Sequence, residues 1–381
     1  MRKRISIIIF IIALLYILGG CAKRYKMSEE FFSQKPESIN WNFFHGNYSA
    51  TGISDNISFN GKFEILWEKK IREKLTGPMT IFKNHLAMPL SRRKIAVYDL
   101  ESSAYLGKVK TRGISQTGLV MVNNIGIYAL ASPKSRVEAV DLRSGKREWR
   151  KKLSDVTKGS IIVDNQLIIS CLSGIILSLN IANGEVNWEY DCKSRLSSPP
   201  AYYAGNIYQA ADNGSLISLS ATDGTVGFEQ KLNGPLVGGV AISKLLFTSE
   251  LDGSIYGIDP DNGEVVWNDK LNGPIWTTPA VYEDFVVWGT SGGELAAYDV
   301  ENGEPIWKND LTDVIKASPI IINGYVICGT LSGQLYSFSV YDGKQIDNRE
   351  MGAAIEYSPV AYDNSLVVAT QKGLITCFGE N

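Results

Sequence analysis

Histidine is nearly absent from this chain, with His45 and His85 the only two in 381 residues. A site built on several imidazoles is excluded, and neither histidine falls near another metal-ligand pattern. Cysteine is sparse too, and no two of the five are adjacent. Cys171, Cys192, Cys328 and Cys377 are scattered over separate strand-like segments, where a thiol packs as a small hydrophobe. Their pairing is not readable from sequence, and export would permit a disulfide or two. There is no Gly-x-Ser-x-Gly elbow, no His-Glu-x-x-His and no phosphate-binding glycine loop ahead of a helix. The expected catalytic, metal and cofactor complement is therefore none. Neither sign of charge dominates: 38 Lys and Arg stand against 40 Asp and Glu. No basic stripe stands out, so nucleic acid is not an expected partner.

What is present is repetition. Glycines after a turn fall at Gly145, Gly184, Gly224, Gly263, Gly303 and Gly343, with spacings of 39, 40, 39, 40 and 40 residues. Self-similarity at that period marks a solenoid, propeller or array. Within each unit, segments such as Ser254-Ile255-Tyr256-Gly257-Ile258 alternate large apolar with small or polar residues, the period of a half-buried strand. The Asn-Gly or Asp-Gly pairs that follow supply the positive φ of a tight hairpin. A second pair of strands precedes them, as in Ser318-Pro319-Ile320-Ile321-Ile322, Asn323-Gly324 and Tyr325-Val326-Ile327-Cys328. Four short antiparallel strands per forty residues make one propeller blade.

Third strands centre on Ala96, Ala139, Leu177, Ile217, Tyr256, Ala296, Tyr336 and Ile375, which counts eight blades. The repeat region opens on a fourth strand near Leu66 and stops after a third. The expected fold is therefore all-β, a single eight-bladed propeller of four-stranded antiparallel blades. The strand from Phe63 to Lys70 closes it by pairing with Gly373 to Phe378, which leaves no unpaired edge at the joint. Trp67, Trp149, Trp188, Phe228, Trp267 and Trp307 share one position in the unit and are assigned to blade docking. Gly107 and Asp347 stand at that position in two units and predict weaker contacts there. The turn carboxylates Asp141, Asp259 and Asp299 recur with the repeat and are assigned to turns, not to acid-base chemistry.

The N-terminus carries a second signal. Arg2, Lys3 and Arg4 precede an apolar stretch over residues 5–18, followed by Leu18-Gly19-Gly20-Cys21. That is the three-part layout of a secretory signal peptide, and its apolar core is shorter than the roughly 17–25 residues of a membrane span. The expected organisation is a leader over 1–21, a polar tether over 22–40, an ordered aromatic lead-in over 41–62 and the propeller over 63–381.

Two resemblances add to this. Leu18-Gly19-Gly20-Cys21 resembles the lipobox of bacterial lipoproteins, which makes Cys21 the acylated first residue of the mature chain. Ala22 after it implies outer-membrane placement; in a single-membrane host the same signal implies the outer face of the cell membrane. The unit from Gly174 to Trp188, repeated from Gly293 to Trp307, resembles that of the pyrroloquinoline-quinone-type propellers, as does the lead-in over residues 41–52. With a lipobox and a single eight-bladed ring, the chain is similar to the BamB family. That resemblance implies a non-enzymatic, periplasm-facing scaffold, monomeric within a larger complex, that binds the barrel-forming subunit of the outer-membrane assembly machine. The family's partner-binding arginine falls on Arg195, in the loop Lys193-Ser194-Arg195-Leu196-Ser197-Ser198-Pro199-Pro200-Ala201. Its acidic pair has no counterpart in the next equivalent loop, which reads Gly234-Pro235-Leu236-Val237. Two other roles fit the same repeat: an envelope lipoprotein that binds another protein or a polysaccharide, and a quinone-dependent dehydrogenase. The latter resemblance would require calcium, a channel aspartate and, in many members, adjacent cysteines, which this chain lacks.

Overall fold

Alternating apolar residues and turn glycines become thirty-four short strands in the computed structural model, which describes residues 25–27, 45–47, 49–54, 58–131 and 133–380. The strands form eight antiparallel blades. Blade 1 runs from Thr80–Phe82 to Tyr105–Lys110, and blade 7 from Ile320–Ile322 to Gln345–Glu350. Blade 8 takes three strands from the end of the chain and its outermost, Ile65–Lys70, from the beginning. That strand pairs antiparallel with Leu374–Phe378, Glu68 opposite Thr376, which is the expected closure. First strands touch across six of the eight blade junctions, including that of blades 8 and 1, and form the inner ring.

Each blade carries a register shift between its third and fourth strands, for example at Ala297/Tyr298 and Ser178/Leu179. A bulge there adds twist and re-aims the residues beside it. The aromatic next to the bulge consequently reaches the following blade. Indole Nε1 of Trp188, Trp267 and Trp307 donates to the carbonyls of Ala221, Val300 and Val340 at 3.0, 3.0 and 2.7 Å. Trp67 and Trp149 do the same to Leu100 and Ile181, both at 2.6 Å. The turn glycine of the next blade lies flat on the ring. A Cβ on Gly303, whose φ is +72°, would stand 2.4 Å from Trp267 Cδ2.

Phe228 has no N–H to donate. In its blade, Tyr208 on the second strand packs 6.2 Å from the Phe228 ring and sends its hydroxyl to Pro260 O at 2.9 Å. A neighbouring side chain thus supplies the bond the indole makes elsewhere. Tyr208→Phe is expected to cost about 1–2 kcal/mol by stranding that carbonyl, read as a lowered urea midpoint at unchanged slope.

The two positions without an aromatic are covered by N-terminal chain. At Asp347 the carboxylate Oδ2 accepts the Phe63 N–H at 2.8 Å. Phe59 and Phe63 are buried beside it, packed on Tyr325 and Phe378. The expected weak contact is filled, because the chain entering the ring brings its own rings to the seam. At Gly107 a fifth strand, Tyr25–Met27, lies on the blade's outer edge with Met27 opposite Gly107. This strand falls in the segment expected as tether. The leader, Cys21 and residues 41–44 lie outside the described residues.

Residues 45–47 and 49–54 of the lead-in run inside the ring. The N–H groups of Ile242, Val281 and Ile321 donate to the carbonyls of Ser49, Thr51 and Gly52 at 3.0, 2.8 and 2.8 Å. Ser49 Oγ reaches Tyr202 O, and Ile53–Ser54 pairs in parallel with Ile320–Ile322. The innermost strands of blades 4 to 7 have their edges satisfied this way, which removes unpaired backbone groups from the channel wall.

Candidate functional site: the channel mouth and its rim

The loops that enter blades 4 to 8 share one construction. A buried aliphatic pins the loop, as with Leu196, Leu236, Ile275, Ile315 and Ile355, all fully buried. Backbone bonds lock it to the preceding blade, Ile315 N to Thr290 O at 3.2 Å and Ile355 N to Thr330 O at 3.0 Å. The next residue in each loop turns to the channel mouth: Ser197, Val237, Trp276, Lys316 and Glu356. They line a cavity of about 380 Å³ that His45 of the lead-in also lines. The frame is constant and the presented side chains differ, which is how a rigid scaffold displays a binding surface.

His45 is 2 % exposed, with Nδ1 2.7 Å from Ala50 O and Nε2 2.8 Å from Pro319 O. Burial pushes its pKa below the usual histidine value, and the two carbonyls pull the other way. A neutral imidazole carries one N–H, so it donates to one of these carbonyls at a time, and the ring sits wedged between the lead-in and blade 7. Tyr357 at the mouth is held up to about 12, by burial first and by Glu356 second.

Arg195 stands on the rim of this mouth, with its side chain 63 % exposed and Nε 3.5 Å from Asp212 Oδ2. Its Nε also lies 3.4 Å from Ser197 Oγ, which itself donates to Asp212 Oδ2 at 2.8 Å. An exposed pair at that distance contributes little stability, so the guanidinium is free to exchange partners. The acid beside the next loop is not available in the same way. Glu250 is 2 % exposed and accepts from Asn233 N and the Tyr256 hydroxyl, both at 2.8 Å.

Sequence reasoning missed Trp276, half exposed in the mouth two residues after Pro274. Its signal was positional: it follows the buried Ile275 where the other loops carry Ser197, Val237, Lys316 and Glu356, none of them aromatic. The repeat carboxylates sit as expected in turns. Asp299 Oδ1 accepts the N–H groups of Glu301 and Asn302 at 2.8 and 3.0 Å. The four cysteines described are free and buried. Among the described residues no three His, Cys, Asp or Glu side chains converge as metal ligands. Among the described residues Glu356 is the one carboxylate lining the cavity, and its histidine lies between two carbonyls. That donor set does not fit a quinone held with a divalent cation. Among the described residues no helix is long and apolar enough to cross a membrane.

The family model for outer membrane protein assembly factor BamB matches residues 133–243 and 227–380. The chain belongs to the BamB family. A BamB of Legionella pneumophila is 31% identical over 125 residues, covering 32% of this chain and 31% of that protein. The aligned part thus spans about a third of the curated relative's length. The crystal structure of BamB from Moraxella catarrhalis superposes with a TM-score of 0.72 at 16% identity, covering 84% of this chain and 100% of that one. A quinohemoprotein alcohol dehydrogenase from Comamonas testosteroni gives a TM-score of 0.75 at 10% identity, covering 94% of this chain and 84% of that one. At such identities both likenesses concern the fold alone, and the assignment to BamB rests on the family match.

Proposed function

We propose that this BamB-family propeller is a non-enzymatic scaffold in outer-membrane β-barrel assembly, anchored through an acylated Cys21 and facing the periplasm. Its partner is the barrel-forming assembly subunit, held by the loop rim at the channel mouth. The observation that carries this reading is the rim itself. Backbone-locked loops present Arg195 and Trp276, 63 % exposed at the side chain and 50 % exposed respectively, over a preformed concavity. Arginine and tryptophan are the residue types that concentrate binding energy at interfaces. A rigid display also limits the ordering cost of association.

Affinity capture from detergent-solubilised envelopes tests this. The wild-type chain is expected to retain the assembly subunit, and Arg195→Glu with Trp276→Ala to weaken retention by about thirtyfold or more, the size of a hot-spot loss. Capture of no assembly subunit by the wild type would remove the proposal. Recovery of an oxidase activity with calcium and quinone would instead favour the dehydrogenase reading.

A further inference from the structure

The even charge balance conceals a segregation around the ring. Residues 62–158, which supply the outermost strand of blade 8 and all of blades 1 and 2, hold 21 Lys and Arg against 9 Asp and Glu. Residues 159–381 hold 10 against 27. The excess is concentrated on outermost strands. Ile65–Lys70, Tyr105–Lys110 and Arg147–Lys152 end in exposed Lys70, Lys110 and Lys152, with Arg150 exposed beside the last. Among the described residues no ion pair engages these four, whereas Lys193, Lys244, Lys270 and Lys308 on the acidic side each hold one.

Cross-strand register sharpens the point. Lys94 stands opposite Lys110, Arg136 opposite Lys152, and Lys26 opposite Lys108. Like charges directly opposed are unfavourable. The inner member of two of these pairs has its own acid, Lys94 with Glu73 at 2.8 Å and Arg136 with Glu138 at 2.6 Å. Lys110 and Lys152, the outer members of those two pairs, are exposed and hold no ion pair among the described residues. Tyr25–Met27 joins this same edge, and four residue steps separate Tyr25 from Cys21. Four steps span at most about 14 Å.

We propose that the outer edge of blades 8, 1 and 2 is a docking surface for anionic lipid headgroups of the membrane that holds the Cys21 acyl chains. This rests on the acylated anchor proposed above. The strand at Tyr25–Met27 shortens the effective tether from some twenty residues to three, so the ring is held edge-on at the bilayer. Clustered Lys and Arg beside an anchor are attracted to a negative leaflet, and an acyl anchor is made durable by such a second contact. The acidic blades 4 to 7 are repelled and turn away, which leaves the sector beyond Arg195 open to a protein partner.

The full-length lipoprotein, processed in cells and reconstituted into vesicles, tests this through single labels. Ser91→Cys, in the turn between the second and third strands of blade 1, marks the basic side and Asn272→Cys, after the outermost strand of blade 5, the opposite side of the ring; the four described native cysteines are buried and Cys21 carries the proposed acyl group, so the introduced thiols label selectively. With a headgroup-borne quencher in phosphatidylglycerol vesicles, the label at 91 is expected to be quenched at least about fivefold more than that at 272, the weight of a single juxtamembrane cation. The contrast should vanish on phosphatidylcholine, in about 1 M salt, where the screening length is roughly 3 Å, and in Lys70→Glu, Lys110→Glu, Arg150→Glu, Lys152→Glu combined. Equal quenching at both labels, in protein that still floats with the vesicles, overturns the docking while leaving the anchor intact. A contrast unchanged by the four substitutions, together with loss of a captured envelope protein, overturns it in favour of a protein partner on that edge. Failure to float refutes the Cys21 anchor and the docking with it.

Discussion

Ending the chain at Gln371 is expected to abolish the monomeric propeller. The strand Leu374–Phe378 is the hinge of closure, pairing with Ser365–Ala369 on one side and with Ile65–Lys70 on the other. Its Ile375, Cys377 and Phe378 are 0–1 % exposed. Burial of Ile375 and Phe378 alone contributes about 3–6 kcal/mol, against a total stability of about 5–15 kcal/mol for a typical domain. The truncation also exposes two strand edges at once, each a template for intermolecular pairing. The truncated protein should elute as aggregate and lose its cooperative thermal transition. A soluble monomer that unfolds in one step would show that the seal between first and last strands is not what holds the ring.

Trp267→Ala is expected to cost about 3–5 kcal/mol, the range for removing a buried large aromatic, with a correspondingly lower urea midpoint. The indole is 7 % exposed, donates to Val300 O at 3.0 Å, and stacks on Tyr298 at 6.3 Å between ring centroids. Trp267→Phe keeps much of the packing and should lose about 1–3 kcal/mol by leaving the carbonyl unbonded. Gly303 couples to this site. Gly303→Ala places a methyl 2.4 Å from the indole at a φ of +72°, and overpacking of that kind costs about 1–3 kcal/mol. In the Trp267→Ala background the clash is gone and only the backbone strain remains. The double-mutant cycle should therefore show favourable coupling; strict additivity would mean that glycine and indole do not meet.

Much of this was written locally. Turn glycines every forty residues, the Asn-Gly and Asp-Gly hairpins and the period-two alternation defined eight blades, their strand order and the sealing pair. The position of the docking aromatics was legible for the same reason, since five of the six lie four residues after a turn glycine and Trp67 falls in line with them by the repeat. Their consequences were not. Nothing near Phe228 says that Tyr208, twenty residues earlier and on another strand, supplies the missing donor to Pro260. Asp347 looked like a gap because the rings that fill it, Phe59 and Phe63, arrive from the far end of the chain. Arg195 was marked by resemblance. Trp276 was overlooked because an aromatic beside a strand start reads as core until the loop around it is built. The charge segregation was present in the sequence but cancelled in the total, and blades had to be defined before it could be counted by sector.

Sequence alone determined the blade and its number of copies, because alternation, turn chemistry and spacing act within a few residues and need no partner to be recognised. Tertiary structure decided how residues 45–47 and 49–54 line the inside of the ring, which N-terminal pieces cover Gly107 and Asp347, and which side chains gather at the channel mouth. Those contacts join residues separated by tens to hundreds of positions. They exist only after eight similar blades have closed a circle and brought equivalent loops to one rim.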